Sequence, residues 1–199
     1  PIIDETLRNL YDGVPQADVA QALTMSARTM IEKEVNYTYV AARLLLDTIR
    51  SEALSHLNGK TVVATQEEMS VAYSDYFKSY IKQAAQLELI DDKLATEYDL
   101  DVLGAALLPE RDYQFTYLGL QTLYDRYFIH TDDVRIELPQ AFFMRVAMGL
   151  AINEIEREKR TIEFYRLLSS FDFMSSTPTL FNAGTLRPQL SSCYLTTVP

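Results

Sequence analysis

The sequence predicts a mainly α-helical domain that carries one small β-hairpin and ends in a short strand. Three observations predict it. Apolar residues recur at three- and four-residue intervals through most of the chain up to about residue 171, the spacing of an amphipathic helix. Start and stop signals bracket these runs, with Pro15, Asn36, Thr65 and Pro139 ahead of them and Gly13 and Asn58-Gly59 behind. β-prone sequence is confined to two places, 127–138 and 190–198.

The elements follow in chain order. Ile3, Leu7 and Leu10 give residues 2–12 a helical stripe that ends at Asp12-Gly13, where glycine takes the helix C-terminal position. Pro15 sits well as the first residue of a second helix, with Val19, Leu23, Ala27, Met30 and Ile31 as its apolar face. Asn36 caps a third, whose face runs Val40, Leu44, Ile49, Ala53 and Leu57 to the stop at Asn58-Gly59. Thr65 and Glu68 have capping-box spacing ahead of a fourth helix. Its broad stripe, Met69, Ala72, Tyr73, Tyr76, Phe77, Tyr80, Ile81 and Ala84, reads as core packing rather than as a groove for a cofactor or partner.

Residues 91–112 read as short helical turns interrupted by Pro109, followed by a helix from Thr116 to Tyr124. Tyr127 to His130 and Val134 to Leu138 form the hairpin, with Asp132 and Asp133 as turn residues. Pro139 opens a helix that is apolar nearly all round as far as Ile155 and is therefore expected to be buried. Its charged end, Glu154 to Arg160, reads as a solvated face, and a further helix runs to about Phe171. Leu190 to Val198 is the terminal strand, expected to belong to a sheet lying mostly beyond residue 199.

Charge and composition exclude several functions. A net charge of −10 without a Lys/Arg cluster argues against a surface that tracks nucleic-acid phosphates. One cysteine excludes an internal disulfide framework and suits a reducing compartment. No apolar run is long enough to span a bilayer and no signal segment opens the chain, so no membrane partner and a cytoplasmic location are expected. Pro1 and Pro199 at the two ends read as marks of a piece cut from a longer polypeptide.

Most site signatures are absent. The six glycines are isolated, which removes dinucleotide fingerprints and phosphate loops. Glu52 and His56 could share a helix face, yet two histidines in the whole chain give no metal-site pattern. The remaining candidate is Cys193. A lone cysteine on an apolar strand is more often a small buried hydrophobe than a reagent. Against that, Cys193 follows two hydroxyl residues, with Ser192 expected on the opposite strand face. Upstream, Thr177-Pro178-Thr179 reads as an extended turn bearing hydroxyls, because Pro178 biases Thr177 away from helix. Hydroxyl and backbone donors beside a thiol suit a polar substrate with an anionic group.

The run Ser-Thr-Pro-Thr-Leu-Phe-Asn-Ala-Gly-Thr-Leu-Arg-Pro-Gln-Leu-Ser-Ser-Cys-Tyr-Leu at 176–195 resembles the substrate-binding entry strand of ribonucleotide reductase large subunits. Tyr37-Thr38-Tyr39-Val40-Ala41-Ala42-Arg43-Leu44 is similar to the start of that family's all-helical domain. The resemblance implies reduction of ribonucleoside diphosphates to 2′-deoxyribonucleotides in a ten-stranded α/β barrel, of which the terminal strand is the first. In such enzymes a thiyl radical removes the 3′-hydrogen and a pair of thiols supplies the reducing equivalents at C2′. Cys193 matches one redox-active thiol of that pair, Ser192 a residue contacting the sugar, and Thr177 one contacting the phosphate.

The resemblance further implies a homodimer, a metal-containing small subunit that supplies the radical, and an external dithiol reductant of the thioredoxin or glutaredoxin type. ATP and deoxynucleoside triphosphates would be effectors of the complete protein, with no cofactor or metal held by this chain. The partner cysteine, the radical cysteine and a proton-transferring glutamate are expected beyond Pro199, which would leave this piece inactive by itself. Residues 1–57 resemble the tail of the ATP-cone regulatory region, but Gln16 and Ser51 stand where the family has nucleotide-contacting threonine and lysine, so no ATP site is assigned. The implied division is a cone remnant at 1–35, the helical domain at 36–175 and the start of the barrel at 176–199. The competing readings are a cobalamin-dependent relative and a non-catalytic helical regulatory or adaptor module with a structural cysteine.

Overall fold

The computed structural model describes residues 1–197. Helices α1 (Ile2–Arg8) and α2 (Gln16–Thr29) lead through a 3-10 turn at Met30–Glu32 into the long α3 (Tyr37–Asn58) and α4 (Gln66–Gln86). Two short helices follow, α5 (Lys93–Thr96) and α6 (Leu100–Ala105), then a 3-10 segment at Pro109–Gln114 and α7 (Tyr117–Arg126). Strands β1 (His130–Thr131) and β2 (Val134–Arg135) form the hairpin, and α8 (Pro139–Ala151), α9 (Arg157–Ser169) and α10 (Thr177–Asn182) complete the chain.

Local chemistry explains most of these boundaries. Thr65 accepts from the Glu68 backbone N–H while the Glu68 carboxylate accepts from Thr65 N, the reciprocal capping box expected at the start of α4. Gly59 ends α3 in the left-handed conformation, which costs a glycine no side-chain clash. The hairpin turn has both central residues at positive φ, 48° at Asp132 and 63° at Asp133, the twist that joins two antiparallel strands tightly. It pairs His130 with Arg135 and Thr131 with Val134.

The core is organised on α8. Every residue from Pro139 to Met148 is buried, as its all-round apolar sequence requires, and α9 packs along it. Three tyrosines on one face of α4 dock the segment that leads into α8. Tyr76 Oη donates to Ile136 O at 2.7 Å and accepts from Leu138 N at 2.9 Å, while Tyr73 Oη accepts from Gln140 N at 3.0 Å. Tyr80 Oη donates to the Glu137 carboxylate at 2.6 Å. Burial holds all three phenols well above their usual pKa, so they remain hydrogen-bonding hydroxyls at any working pH.

Several expectations are corrected. The first helix stops at Arg8 rather than Asp12, because Asn9 Nδ2 takes up the Glu5 carbonyl and the chain then turns through Gly13 at φ 85°. Its expected core stripe faces outward. Ile3 and Leu7 are 67% and 64% exposed, while Thr6 is buried and Ile2 half-buried on the side packed against α2. On α3 and α4 the stripe is narrower than expected, since Val40 and Ala72 are exposed. The α8 helix ends at Ala151, a turn before the expected Ile155, which lies fully in solvent. Thr177-Pro178-Thr179 is not extended but opens α10. Proline is compatible there because first-turn N–H groups have no intrahelical acceptor to lose. Residues 190–197 pair with no strand among the described residues, and Val198 and Pro199 lie outside them, as does the Gln16 side chain.

Candidate functional site

The three residues singled out by the sequence lie on one stretch of chain that is bound to the helical core at its middle. Arg145, in the heart of α8, extends its guanidinium under α10 and donates from Nη1 to Ala183 O at 2.7 Å and Leu180 O at 3.3 Å. Those carbonyls close α10 and would otherwise be buried without donors. The other edge of the guanidinium meets Glu137, with Nε to Oε1 at 2.8 Å and Nη2 to Oε2 at 3.1 Å, and neither side chain is accessible to solvent. Glu137 is completed by Tyr80 and by Ile129 N at 3.0 Å. Burial opposes the charged guanidinium, but the Glu137 carboxylate and the Tyr80 hydroxyl together more than offset it, so the Arg145 pKa is raised and the residue is cationic.

Two glycines let backbones meet at this joint. A Cβ on Gly149 would fall 2.5 Å from the Ala183 carbonyl carbon and 2.8 Å from Gly184 Cα. Gly184 itself has φ 76° and returns its carbonyl to Asp91 N at 2.9 Å. The joint thus fixes the C-terminal end of α10, and the loop beyond folds back on it. Thr179 Oγ1 donates to Leu190 O at 3.0 Å, and Asn182 Nδ2 to Gln189 O at 2.8 Å.

Ser192 and Cys193 follow immediately, both exposed, with Ser192 Oγ 3.8 Å from Cys193 Sγ. They therefore share a side rather than alternating, because alternation is a property of a paired and pleated strand and this segment is unpaired among the described residues. Thr177 is exposed at the other end of α10 and is not hydrogen-bonded to either of them. Its Oγ1 lies 3.1 Å from Tyr127 Oη. The Tyr127 ring stacks on Phe181 (4.5 Å between centroids, 20° between planes) and meets the edge of Phe142. Beside it opens an apolar groove of about 560 Å³ lined by Phe115, Leu123, Phe143, Phe171, Met174 and Leu180.

Two side chains of this site were missed in the sequence. Arg145 had a signal: it is the one charge in the apolar run 139–151, and a charge there must find a partner, which Glu137 two residues ahead of the helix supplies. Tyr127 had none, since its role depends on the return of α10 fifty residues later. The discounted ligand candidate has a structural duty instead. Glu52 accepts from Tyr124 Oη at 2.8 Å and from Arg135 N, pinning α7 and the hairpin to α3. Of the charged run after α8, Glu156 pairs with Lys159, Arg157 with Glu97, and Arg160 with Glu163, all at least partly in solvent. Among the described residues no group of three or more His, Cys, Asp or Glu could hold a metal ion, and no helix is long and apolar enough to cross a membrane.

A mainly helical domain that presents a tethered segment bearing hydroxyls and a thiol defines a class, and the class has a match. Residues 113–188, from the 3-10 segment through α10, match the family model described as the ribonucleotide reductase all-alpha domain. The chain belongs to the ribonucleotide reductase large-subunit family. It is 46% identical to the ribonucleoside-diphosphate reductase subunit alpha of Chlamydia muridarum over 99% of this chain and 18% of that protein. Identity is 37% to the corresponding subunit of Helicobacter pylori, over 94% of this chain and 22% of that protein. It is 33% to the large chain of Schizosaccharomyces pombe, over 99% and 23%. The chain thus spans about a fifth of the length of the curated relatives it matches.

Proposed function

We propose that this chain supplies the helical domain and part of the substrate site of an enzyme that reduces ribonucleoside diphosphates to 2′-deoxyribonucleotides. The observation that carries the proposal is the match over 94–99% of the chain to proteins named as ribonucleoside-diphosphate reductases. Cys193 acts as one thiol of the redox pair, delivering a hydrogen atom and ending in a disulfide with a second cysteine of the enzyme. Ser192 contacts the sugar and Thr177 the phosphate. The exposure of all three side chains and the proximity of Ser192 Oγ to Cys193 Sγ support these roles. The family match stands against the reading of the chain as a helical regulatory or adaptor module.

The wider assembly belongs to the same proposal. Residues 1–35 are a cone remnant, 36–175 the helical domain and 176–199 the entry to the barrel. The enzyme is a cytoplasmic homodimer whose radical comes from a metal-containing small subunit, whose disulfide is reduced by a thioredoxin- or glutaredoxin-type dithiol, and whose effectors are ATP and deoxynucleoside triphosphates. The test is Cys193→Ser in the complete protein. Turnover with a dithiol reductant should vanish while nucleotide binding survives, and unchanged turnover would overturn the role of Cys193.

A further inference from the structure

We infer that Tyr127 is a positioning residue for Thr177, orienting its hydroxyl toward the substrate's anionic group. The inference rests on the reading of Thr177 as a phosphate contact, and it begins from the 3.1 Å approach of the two hydroxyl oxygens. Each hydroxyl has one proton to donate and lone pairs to accept with. One of the two must donate across the gap, and the phenol, the more acidic kind of hydroxyl, is the better donor. With Tyr127 donating, the Thr177 proton is released from the pair and turned outward, where an anionic oxygen can accept it in a charge-assisted bond. With phenylalanine at 127 the threonine rotor is free to turn inward, and a donor that must be reoriented binds less well.

The ring is held for such a task. Phe181 covers one face at 4.5 Å and the Phe142 edge meets it at 69°, so the phenol has little freedom to swing away. Phe181 lies on α10, four residues beyond Thr177, so the stack and the hydroxyl contact set the same helix at two points. Tyr127 closes the end of α7, its own N–H bonded to Leu123 O at 2.9 Å, which anchors the phenol to a helix rather than to a loop.

The test is a double-mutant cycle on the full-length enzyme with its small subunit, using Tyr127→Phe, Thr177→Val and the pair. Steady-state reduction of a nucleoside diphosphate gives KM and kcat, and thermal unfolding is followed alongside. Tyr127→Phe keeps the stacked ring, so the melting temperature should stay within a few degrees. Its KM should rise about three- to tenfold, the size of one neutral hydrogen bond, with kcat changed less than about twofold. In the Thr177→Val background the same change should have no further effect. Additive effects, or an unchanged KM in Tyr127→Phe beside a raised KM in Thr177→Val, would overturn the positioning role alone. An unchanged KM in Thr177→Val would overturn the phosphate contact beneath it.

Discussion

Arg145 and Glu137 form a two-pronged ion pair at a point where neither side chain reaches water. Taking two charges out of solvent costs several kcal/mol each, and their attraction repays this only when the remaining donors and acceptors are satisfied. Here they are: the carboxylate also accepts from Tyr80 and Ile129 N, and the guanidinium also donates to Ala183 and Leu180. The pair therefore couples three elements, α4, α8 and α10, through one contact. Arg145→Met should destabilise the chain by about 3–5 kcal/mol, because it leaves the Glu137 carboxyl buried without its counter-charge. A fall in the urea midpoint checks it. Combining Arg145→Met with Glu137→Leu should recover much of that loss, yet leave the α10 carbonyls without a donor. Chymotryptic cleavage after Phe181, on α10 itself, should accordingly stay faster than in the parent even where global stability has returned.

The Gly149 site sets two effects of opposite sign against each other. Replacing a mid-helix glycine with alanine favours the helix by about 0.8–1 kcal/mol. At Gly149 the added methyl would meet the backbone of Ala183 and Gly184 at 2.5 and 2.8 Å, and backbone atoms cannot rotate out of the way. Overpacking of this kind costs about 1–3 kcal/mol, so the clash should win and Gly149→Ala should lower the melting temperature. Gly119, in α7, is the control. Its added methyl would meet only Thr116 Oγ1, at 3.3 Å, and Gly119→Ala should be neutral or mildly stabilising. If Gly149→Ala were also stabilising, the close approach of α8 to the end of α10 would not hold in solution.

The sequence made the helices legible wherever a boundary was chemical. Thr65 with Glu68, Asn58-Gly59 and Asp132-Asp133 each do locally what their side chains or their tolerance of positive φ allow. It misled where burial depended on what lies opposite. The stripe of Ile3 and Leu7 has helical spacing, yet a two-turn helix packed on one neighbour buries only the side that neighbour covers, and here that is the side of Ile2 and Thr6. The site divides in the same way. Cys193, Ser192 and Thr177 could be singled out as candidates through a family pattern in one continuous run. Tyr127, Arg145 and Gly149 stand outside that run and act on it from 34 to 54 residues away. The 3.1 Å contact between Tyr127 and Thr177, for one, exists only after α7 and α10 have been brought together.

Asp112 gives the helical domain a pH dependence of its own. Its carboxyl is buried between α4, α8 and the 3-10 segment, and that burial pushes its pKa up to about 7. Gln140 Nε2, donating at 2.7 Å, and the positive charge of Arg50 pull in the other direction, as does the Tyr73 hydroxyl, while Glu110 adds to the rise. The sign follows from proton counting. Between the unfolded value near 3.9 and the folded value near 7, the native state holds the proton more tightly than the unfolded chain does. The contribution of Asp112 to stability is therefore fully present below about pH 4 and is lost as pH rises through 7, with a slope of up to about 1.4 kcal/mol per pH unit. Asp112→Asn keeps an acceptor for Gln140 and removes the titration. Denaturant unfolding from pH 4.5 to 8 should show the parent losing stability relative to Asp112→Asn across that range. The two curves should run parallel above about pH 8, where Asp112 is ionised in both states. Parallel curves across the whole range would mean that Asp112 is ionised in the folded protein at pH 5, with Arg50 as its effective counter-charge.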